Sequence, residues 1–247
     1  MTGSQSCLVA KLSYYIDLTD QDAKLLTMLE KTENAHERGK IYAGGERVDN
    51  LYVVKAGWLF GATIMPDNRR QIVKVYHSGD IVGFPDIAFE HATIDIFAAE
   101  DVVLCPFPKT ALEEIFRQSP RLTALMFTLA LRDQVILLDH VRALGRMSAV
   151  EKMCYFLMDL LARLRITNRH IGNTIRMPLT QTEIGDALGL TNVYVSKTLA
   201  RMEADNLIKR ASSTIRMVDE ARMADICDFV DRYKDLDTSW LPQDEQH

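Results

Sequence analysis

The feature that most limits how this chain can fold is the run over residues 178–203, where two short helical segments meet at a glycine. Thr180 and Glu183 have the spacing of a capping box, in which each side chain accepts a hydrogen bond from the other residue's backbone N–H. Gly189 suits a tight turn with a positive φ, which a side chain would resist. Gly185 is small at the point where the two helices have to approach closely. The pattern predicts a helix-turn-helix.

A second helix and a two-stranded wing follow this turn. Thr191 can cap the second helix. Its inward-facing residues are Val195, Leu199 and Met202. Leu207–Arg210 and Thr214–Val218 have the composition of strands and are separated by a short Ala-Ser-Ser turn. We therefore predict a winged helix-turn-helix, and the alternative is a helical hairpin with a purely structural role.

The distribution of charge favours a segment that faces nucleic acid within an acidic chain. The whole chain has 29 Lys and Arg against 34 Asp and Glu, which gives a net charge of −5. Residues 148–218 nevertheless contain ten basic and six acidic residues, whereas residues 219–247 contain three basic and nine acidic ones. A local excess of positive charge favours contact with phosphates.

In a winged helix-turn-helix, the start and the outer face of the second helix lie in the major groove of DNA. Lys197 is expected to donate to a guanine edge or a phosphate, and Asn192 to contact adenine or the backbone. Ser196 is short and polar and allows a close approach. The other residues predicted to contact DNA are Thr180, Thr182, Val193, Tyr194, Arg201, Lys209, Arg210 and Arg216. For each of these side chains, plain solvated surface is the alternative.

Residues 40–107 differ from the rest of the chain, because short runs rich in Val, Ile, Tyr and Phe alternate with glycine-containing breaks. Turn signals every 8–12 residues or so are typical of an antiparallel barrel or sandwich. The predicted strands are Leu51–Lys55, Trp58–Ile64, Gln71–Tyr76, Asp80–Val82, Ile94–Ala98 and Val102–Phe107. Ahead of them, residues 14–35 are expected to form a helix that Thr19 or Asp20 can cap.

A long helix is predicted to begin at Pro120, with Ser119 as its N-cap. Apolar residues recur along it every seven positions, and such a repeat favours packing against a partner helix. The predicted dimer interface is Leu122, Leu125, Leu129, Ile136 and Ala143. A helix buried in its own protomer's core is the alternative. A further capped helix begins at Ser148, and Ala221–Tyr233 is expected to be helical ahead of a polar, frayed end.

Composition excludes several other classes of protein. Hydrophobic residues make up 47% and charged residues 26%, which is unlike a disordered chain or a disulfide scaffold. The cysteines at positions 7, 105, 154 and 227 lie far apart without CxxC spacing, which predicts reduced thiols in a cytoplasm and no metal site. Cys154 stays open as a redox-sensitive thiol. We expect neither a signal peptide nor a membrane-spanning segment.

The order of these segments resembles the Crp/Fnr superfamily of bacterial transcription regulators over nearly the whole chain. The resemblance is carried by Gly45 with Leu51–Gly57, by Ser78–Gly83, and by the helix-turn-helix run. It implies an α+β fold with four parts. These are an antiparallel, jelly-roll-like β-roll at 1–118, a dimerisation helix and hinge at 119–147, a winged helix-turn-helix at 148–218, and an acidic C-terminal helix and tail at 219–247.

The resemblance also implies a function. A member of this superfamily is expected to be a cytoplasmic homodimer without enzymatic activity. It would bind palindromic double-stranded DNA at half-sites about 34 Å apart. RNA polymerase is the further partner that the resemblance implies, and no contact with a membrane is expected.

Departures from the family pattern bear on the signal that is sensed. Members that bind cyclic AMP follow the Ser78–Gly83 motif with Glu and later clamp the cyclic phosphate with an Arg-Ser pair. Here the corresponding residues are Phe84 and the stretch 91–93, so the guanidinium that a buried phosphate needs is missing. Tight binding of cyclic AMP is therefore not expected. The predicted effector pocket comprises Phe84, His91, Ala92, Thr93, Leu137 and Leu138.

Cofactors and operator choice follow from similar comparisons. Iron–sulfur members need four thiolate ligands, and only Cys7 lies near the N-terminus, so no cofactor is predicted. Val193, Ser196 and Lys197 stand where the family commonly has Glu, Ser or Gly, and Arg, which predicts an operator related to the commonest family sites but not identical with them. The alternatives are a cyclic-nucleotide- or redox-responsive member, and a β-roll module that does not bind DNA. A β-barrel enzyme is a third, for which the chain offers no nucleophile–base pair.

Overall fold

The computed structural model describes residues 6–168, 170–234 and 236–242, which form two compact units. Among these residues, unit 1 contains 6–61, 75–134 and 236–242, and unit 2 contains 62–74, 135–168 and 170–234. The fold is α+β, with antiparallel sheets at the N-terminal side, a long helix and helix-turn-helix elements at the C-terminal side, as predicted. The end of the predicted acidic tail lies outside the described residues.

Two antiparallel sheets make up the β-roll. One has the strand order β1 (Asn34–His36), β8 (Val102–Pro108), β3 (Asn50–Ala56) and β6 (Ile81–Val82). The other has the order β2 (Gly39–Tyr42), β7 (Asp95–Ala98), β4 (Leu59–Ile64) and β5 (Arg70–Tyr76). Alternate residues of these strands face a core that contains Val54, Leu59 and Leu104, all fully buried. The strand prediction was correct in type and lacked only β1 and β2.

The N-terminal part holds two short helices rather than the single helix predicted over residues 14–35. Helix α1 spans Cys7–Leu12 and α2 spans Asp20–Leu29. Thr19 caps α2 as expected, because its Oγ1 accepts from the backbone N–H of Asp22 at 3.1 Å. The prediction was wrong in its boundaries because the chain leaves the helical conformation between the two segments. Helix α3, Ala111–Gln118, was not predicted.

The long helix α4 spans Pro120–Arg146, and the hydroxyl of Ser119 accepts from the backbone N–H of Leu122 at 3.2 Å. The five residues predicted to meet a partner are instead buried within the protomer, so that prediction was wrong. Leu122, Leu125 and Leu129 pack in the core of unit 1, and Ile136 and Ala143 are 7% and 5% exposed. The seven-residue repeat marks the inward face of α4.

The outward face of α4 carries a separate apolar stripe. Its exposed apolar members are Phe127, Leu131, Leu138 and Val141. With the exposed Gln134 they follow the alternating four- and three-residue spacing of a coiled-coil seam. This stripe, residues 127–141, is called the α4 stripe below.

Unit 2 contains the C-terminal helices and a three-stranded sheet. Its elements are α5 (Ala149–Thr167), β9 (Thr174–Arg176), α6 (Gln181–Leu188), α7 (Asn192–Ala204), β10 (Ile208–Ala211), β11 (Thr214–Met217) and α8 (Glu220–Cys227). The sheet order is β10-β11-β9. The predicted cap of α5 is confirmed, because Ser148 and Glu151 form a capping box.

The helix predicted over 221–233 is shorter in the structure, and part of the predicted frayed end lies outside the described residues. Helix α8 stops at Cys227 because Asp228 adopts a left-handed conformation, with φ of 48°. Beyond it, the hydroxyl of Tyr233 donates to Asp159 at 2.7 Å within unit 2. Leu241 is 3% exposed and packs in the core of unit 1. Apolar burial thus orders a segment whose composition is mainly polar.

Candidate nucleic-acid interface

The start of α6 has the hydrogen bonds that the sequence predicts. Thr180 Oγ1 accepts from the N–H of Glu183 at 3.2 Å, and Glu183 Oε2 accepts from the N–H of Thr180 at 2.7 Å. This reciprocal pair satisfies two backbone donors that the helix itself leaves free. Helix α6 therefore begins at a defined residue, which fixes the start of the helix-turn-helix.

The turn between α6 and α7 depends on two glycines. Gly189 has a φ of 65°, in the left-handed region that favours glycine. At Gly185, an added Cβ would lie 2.5 Å from the carbonyl oxygen of Leu190, which is too close for any side chain. The N–H of Leu190 donates to the carbonyl of Gly185 at 2.9 Å. Gly189 has the role predicted for it, whereas the close approach at Gly185 is to the turn at Leu190 rather than to α7 itself.

Helix α7 has one buried face and one exposed face. Thr191 caps it, with Oγ1 accepting from the N–H of Tyr194 at 3.3 Å. The buried face is formed by Val195, Thr198, Leu199 and Met202. The exposed side chains are the predicted DNA-contacting residues Asn192, Val193, Tyr194, Ser196, Lys197 and Arg201. Val193 and Tyr194 are 65% and 54% exposed, so both are accessible to a partner.

The first turn of α7 also lies close to the first turn of α6. Thr182 is exposed, and its Oγ1 is 3.5 Å from Nδ2 of Asn192. Thr180 is exposed as well. Polar side chains from two helix starts thus lie on one side, where backbone N–H groups carry partial positive charge. The arrangement suits phosphate oxygens beside base edges.

The three wing residues predicted to contact DNA fall into two groups. Lys209 and Arg216 are directly opposite each other in the β10–β11 pairing, and both are exposed. Like charges opposite each other on one face repel, so an anion between them is favourable. Arg210 differs, because its Nε and Nη2 donate to Oε2 of Glu203 at 2.9 and 2.5 Å. Its guanidinium is held by the protein itself.

The ion pair between Arg210 and Glu203 joins the wing to the end of α7. The backbone N–H of Arg210 also donates to Glu203 Oε1 at 3.0 Å. These hydrogen bonds from Arg210 lower the pKa of Glu203 below its ordinary value. The sequence alone placed Arg210 among the DNA contacts, because a carboxylate seven residues earlier is not a neighbour in any local motif.

Known proteins share this layout along the chain. Residues 35–119 match the cyclic nucleotide-binding domain, and residues 151–226 match the Crp-like helix-turn-helix domain. The chain is 30% identical over 183 residues to the nitrogen fixation regulation protein FixK of Bradyrhizobium diazoefficiens, covering 74% of this chain and 76% of that protein. The chain belongs to the Crp/Fnr superfamily of bacterial transcription regulators.

More distant Crp/Fnr members agree with this assignment. The fumarate and nitrate reduction regulatory protein of Vibrio cholerae is 22% identical over 90% of this chain and 89% of that protein. The structure of FixK2 from Bradyrhizobium japonicum has the same fold, with a TM-score of 0.71 at 22% identity over 79% of this chain and 96% of that one. The protein is therefore a DNA-binding transcription regulator, and its relatives are regulators rather than enzymes.

The β-roll of this Crp/Fnr regulator presents its predicted pocket residues very differently from α7. Asp86 is buried, and its Oδ1 accepts from the N–H and the Oγ1 of Thr93 at 3.0 and 2.6 Å. Lys109 Nζ donates to the backbone carbonyls of Asp86 and Phe89 at 2.7 and 2.8 Å. A buried carboxylate thus lies among the residues where a cyclic phosphate would need a cation.

The other predicted pocket residues are divided between the two units. Phe84 is half-buried and Ala92 is buried in unit 1, whereas His91 is exposed and pairs with Arg47 in an isolated β-bridge. Leu137 and Leu138 belong to unit 2 and are 56% and 65% exposed.

The roll also contains a tyrosine hydroxyl that sequence reasoning did not single out. Tyr42 and Asp86 both flank Gly83, and among the described residues the Tyr42 hydroxyl has no hydrogen-bond partner. Burial, with nearby Tyr76 and Asp86, raises the pKa of Tyr42 well above its ordinary value. The hydroxyl therefore stays protonated and can donate to a ligand.

Two further findings concern groups outside the DNA interface. No helix among the described residues is long and apolar enough to cross a membrane.

Cys7, Glu30 and Cys105, which lie far apart in the sequence, have their ligand atoms within 4.8 Å of one another. Sequence spacing offered no signal for this cluster, because its members come from three separate elements.

Proposed function

We propose that this regulator binds palindromic double-stranded DNA as a homodimer, with α7 of each protomer in the major groove of one half-site. The observation that carries the proposal is the exposed face of α7 above a turn fixed by Gly185 and Gly189. Lys197 and Ser196 lie in the middle of this face, where base edges are within reach. Exposed Lys209 and Arg216 then supply contacts to phosphates.

The α4 stripe supports a dimer formed along the long helix. Its exposed residues Phe127, Leu131, Leu138 and Val141 have the spacing at which two parallel helices interlock. Exposed apolar side chains on this scale favour a protein partner. A second copy of the chain presents the same stripe, so a symmetric pairing is self-complementary.

The β-roll is proposed to sense a signal other than cyclic AMP, or to work without an effector. Asp86 brings a negative charge to the place where the cyclic phosphate would bind, and no arginine accompanies Thr93. A neutral ligand that accepts a hydrogen bond from Tyr42 fits the roll better. As part of the same proposal, the dimer acts in the cytoplasm and contacts RNA polymerase at the promoters it binds.

Binding measurements on three variants test the DNA contacts. A palindromic fragment is first selected from random DNA with the wild-type protein, and affinities are then measured by fluorescence anisotropy at several salt concentrations. Lys197→Ala is expected to lose about 10- to 100-fold in affinity for the selected fragment and little for random DNA, since a base contact is worth about 1–3 kcal/mol. Lys209→Ala is expected to weaken binding to both and to lower the salt slope by about one.

Arg210→Ala is the matched control for Lys209→Ala, because the two residues are adjacent and only Lys209 is free of the Glu203 pair. It is expected to leave the salt slope unchanged. The proposal is contradicted if Lys197→Ala binds the selected fragment as tightly as the wild type, or if the wild type selects no sequence at all.

A further inference from the structure

Three elements of unit 1 bring a group of potential metal ligands together. Cys7 is the first residue of α1, Glu30 directly follows the last residue of α2, and Cys105 lies in the middle of β8. The two Sγ atoms and a carboxylate oxygen of Glu30 all lie within 4.8 Å of one another. Tetrahedral sites with M–S bonds of about 2.3 Å place their ligand atoms about 3.8 Å apart, so these three groups can share one ion after a small movement.

Both sulfur atoms are free thiols that are largely withdrawn from water. Cys105 is 1% exposed and Cys7 is half-buried. Burial raises the pKa of both thiols, and the charge of nearby Glu30 raises them further. Each thiol therefore carries its proton in the metal-free protein, and a metal ion has to displace that proton in order to bind.

The carboxylate of Glu30 is already held in place by its own partners. The hydroxyl of Ser6 donates to Oε2 at 2.6 Å. The backbone N–H groups of Cys7 and Leu8 donate to Oε1 and Oε2, each at 3.3 Å. Donors of this kind orient a ligating carboxylate and are a regular part of metal sites. Glu30 is thus fixed next to the thiols by the start of α1.

The types of ligand atom distinguish between a zinc site, an iron–sulfur cluster and a disulfide. Two thiolates and one carboxylate are typical ligands of Zn²⁺, with a fourth position left for water. An iron–sulfur cluster needs four thiolates, and the described residues bring only two together here. A disulfide between the two thiols would leave the carboxylate of Glu30 and its three hydrogen-bond donors without a role.

We propose that Cys7, Glu30 and Cys105 form a binding site for a single Zn²⁺ ion. Two Zn–S bonds form as the two thiol protons pass to solvent, one carboxylate oxygen of Glu30 completes the protein ligands, and no electrons are transferred. The ion joins the start of α1 to β8 and to the end of α2.

The site has a direct structural consequence within unit 1. Leu8 and Leu12 of α1 pack in the same core as Leu122, Leu125 and Leu129 of the long helix. At the far end of this segment, the hydroxyl of Tyr15 accepts from Arg132 Nη1 at 2.6 Å. Zinc at the start of α1 therefore stabilises the packing beneath the first half of α4.

Metal titrations of the full chain test the proposal. The purified protein is reduced, stripped with a chelator and titrated with Zn²⁺ against a chromophoric competitor, and separately with Co²⁺, whose thiolate bonds give a charge-transfer band. One ion per chain is expected for the wild type. Cys7→Ser and Cys105→Ser are each expected to lose the Co²⁺ band and to weaken Zn²⁺ binding by more than about 100-fold, beyond the loss expected for an outer partner.

Two further sets of variants keep the result interpretable. Ser6→Ala removes a donor to Glu30 without removing a ligand, and is expected to weaken Zn²⁺ binding about 10- to 100-fold while the Co²⁺ band remains. Cys154→Ser and Cys227→Ser are matched controls, because both thiols are buried in unit 2, and they are expected to bind as the wild type. Circular dichroism of each metal-free variant verifies that it is folded.

Several outcomes would overturn the zinc site. One is the absence of stoichiometric Zn²⁺ binding by the reduced wild type, and another is binding that persists when Cys7 and Cys105 are both replaced. A third is formation of a Cys7–Cys105 disulfide with oxidised glutathione in a protein that binds no zinc. Assembly of an iron–sulfur cluster instead of mononuclear metal, on incubation with iron and sulfide without oxygen, would also contradict it.

Discussion

The helix-turn-helix of unit 2 and the β-roll of unit 1 use polar side chains in opposite ways. On α7, Lys197 and Ser196 are exposed above a buried apolar face. In the roll, Asp86 is buried and accepts two hydrogen bonds from Thr93. Both regions carry motifs of one family, yet the candidate DNA contacts of α7 all face outward, whereas the roll keeps the carboxylate of Asp86 inside.

This difference reflects how each region would meet its ligand, DNA in one case and a small molecule in the other. A surface that reads DNA exchanges water for base edges and phosphates, so its polar groups can remain solvated until the partner arrives. Polar groups in a buried pocket are shielded from water, so without a ligand most of them form hydrogen bonds within the protein. A phosphate entering the roll would have to break the Asp86–Thr93 bonds and approach a carboxylate.

The largest expected effect on DNA binding comes from substitutions that disrupt the proposed dimer. The double variant Leu138→Glu and Val141→Glu places charges on the α4 stripe, and repulsion between two copies should give monomers in sedimentation experiments. Affinity for the selected palindrome should then fall about 1000-fold or more, towards the non-specific level.

Phe116→Glu is the control for this variant, since Phe116 is 52% exposed on α3, outside the α4 stripe. It should remain a dimer with wild-type affinity. A Leu138→Glu and Val141→Glu protein that still sediments as a dimer would contradict the assignment of the interface.

The second prediction tests whether the helix-turn-helix depends on the close approach of α6 to the turn that precedes α7. Gly185→Ala would bring a Cβ within 2.5 Å of the Leu190 carbonyl oxygen. Because a backbone atom cannot easily give way, we expect a loss of about 3 kcal/mol in the free energy of unfolding, at the upper end for overpacking. Gly172→Ala, whose Cβ would have no atom of the described residues within 4 Å, should change stability little. Equal denaturation midpoints for the two variants would refute this account.

The third prediction tests the hydrogen bonds between Asp86 and Thr93 inside the roll. Asp86→Ala leaves the N–H and hydroxyl of Thr93 without their acceptor, so urea denaturation should show a loss of about 2 kcal/mol. Asp101→Ala removes an exposed carboxylate that accepts from the N–H of Arg38, and should stay within about 0.5 kcal/mol of the wild type. If calorimetry shows that the wild type binds cyclic AMP tightly, Asp86 does not exclude phosphate.

The smallest effect concerns the Arg210–Glu203 pair. In this pair, as at Asp86 in the roll, polar groups bind each other within the protein. Arg210 lowers the pKa of Glu203 below its ordinary value of 4.5. The pair therefore contributes stability that is fully present above pH 4.5 and is lost as the pH falls through the lowered pKa. Glu203→Gln should be less stable at neutral pH by on the order of 0.5 kcal/mol, as is usual for exposed pairs. Urea denaturation at several pH values should show this difference vanish in acid, and a constant difference would exclude the pair as its source.

Much of the helix-turn-helix could be predicted because its determinants are local. The caps at Thr180 and Thr191 bind N–H groups three residues ahead, and Gly189 needs only its own φ. The same holds for Ser148 and Glu151 at α5. The exposed side of α7 follows once its buried residues are recognised from their helical spacing.

The roll and the long helix depended on information that no local pattern contains. The repeat at Leu122, Leu129 and Ile136 was recognised correctly as apolar, but whether its partner lay within the protomer or in a second copy depended on α1 and α2 packing against α4. The boundaries of those two short helices were also missed. A periodic stripe shows that a face is buried and not what buries it.

By itself, the sequence determined the order of elements, the capped and glycine-dependent turn, and the side of α7 that faces outward. Interactions among neighbours within four residues are present in any conformation close to the native one. Only the tertiary structure decided the inward face of α4, the partner of Arg210, and the meeting of Cys7 with Glu30 and Cys105. These depend on contacts between residues distant in sequence, which form only after the chain has closed its loops around a common core.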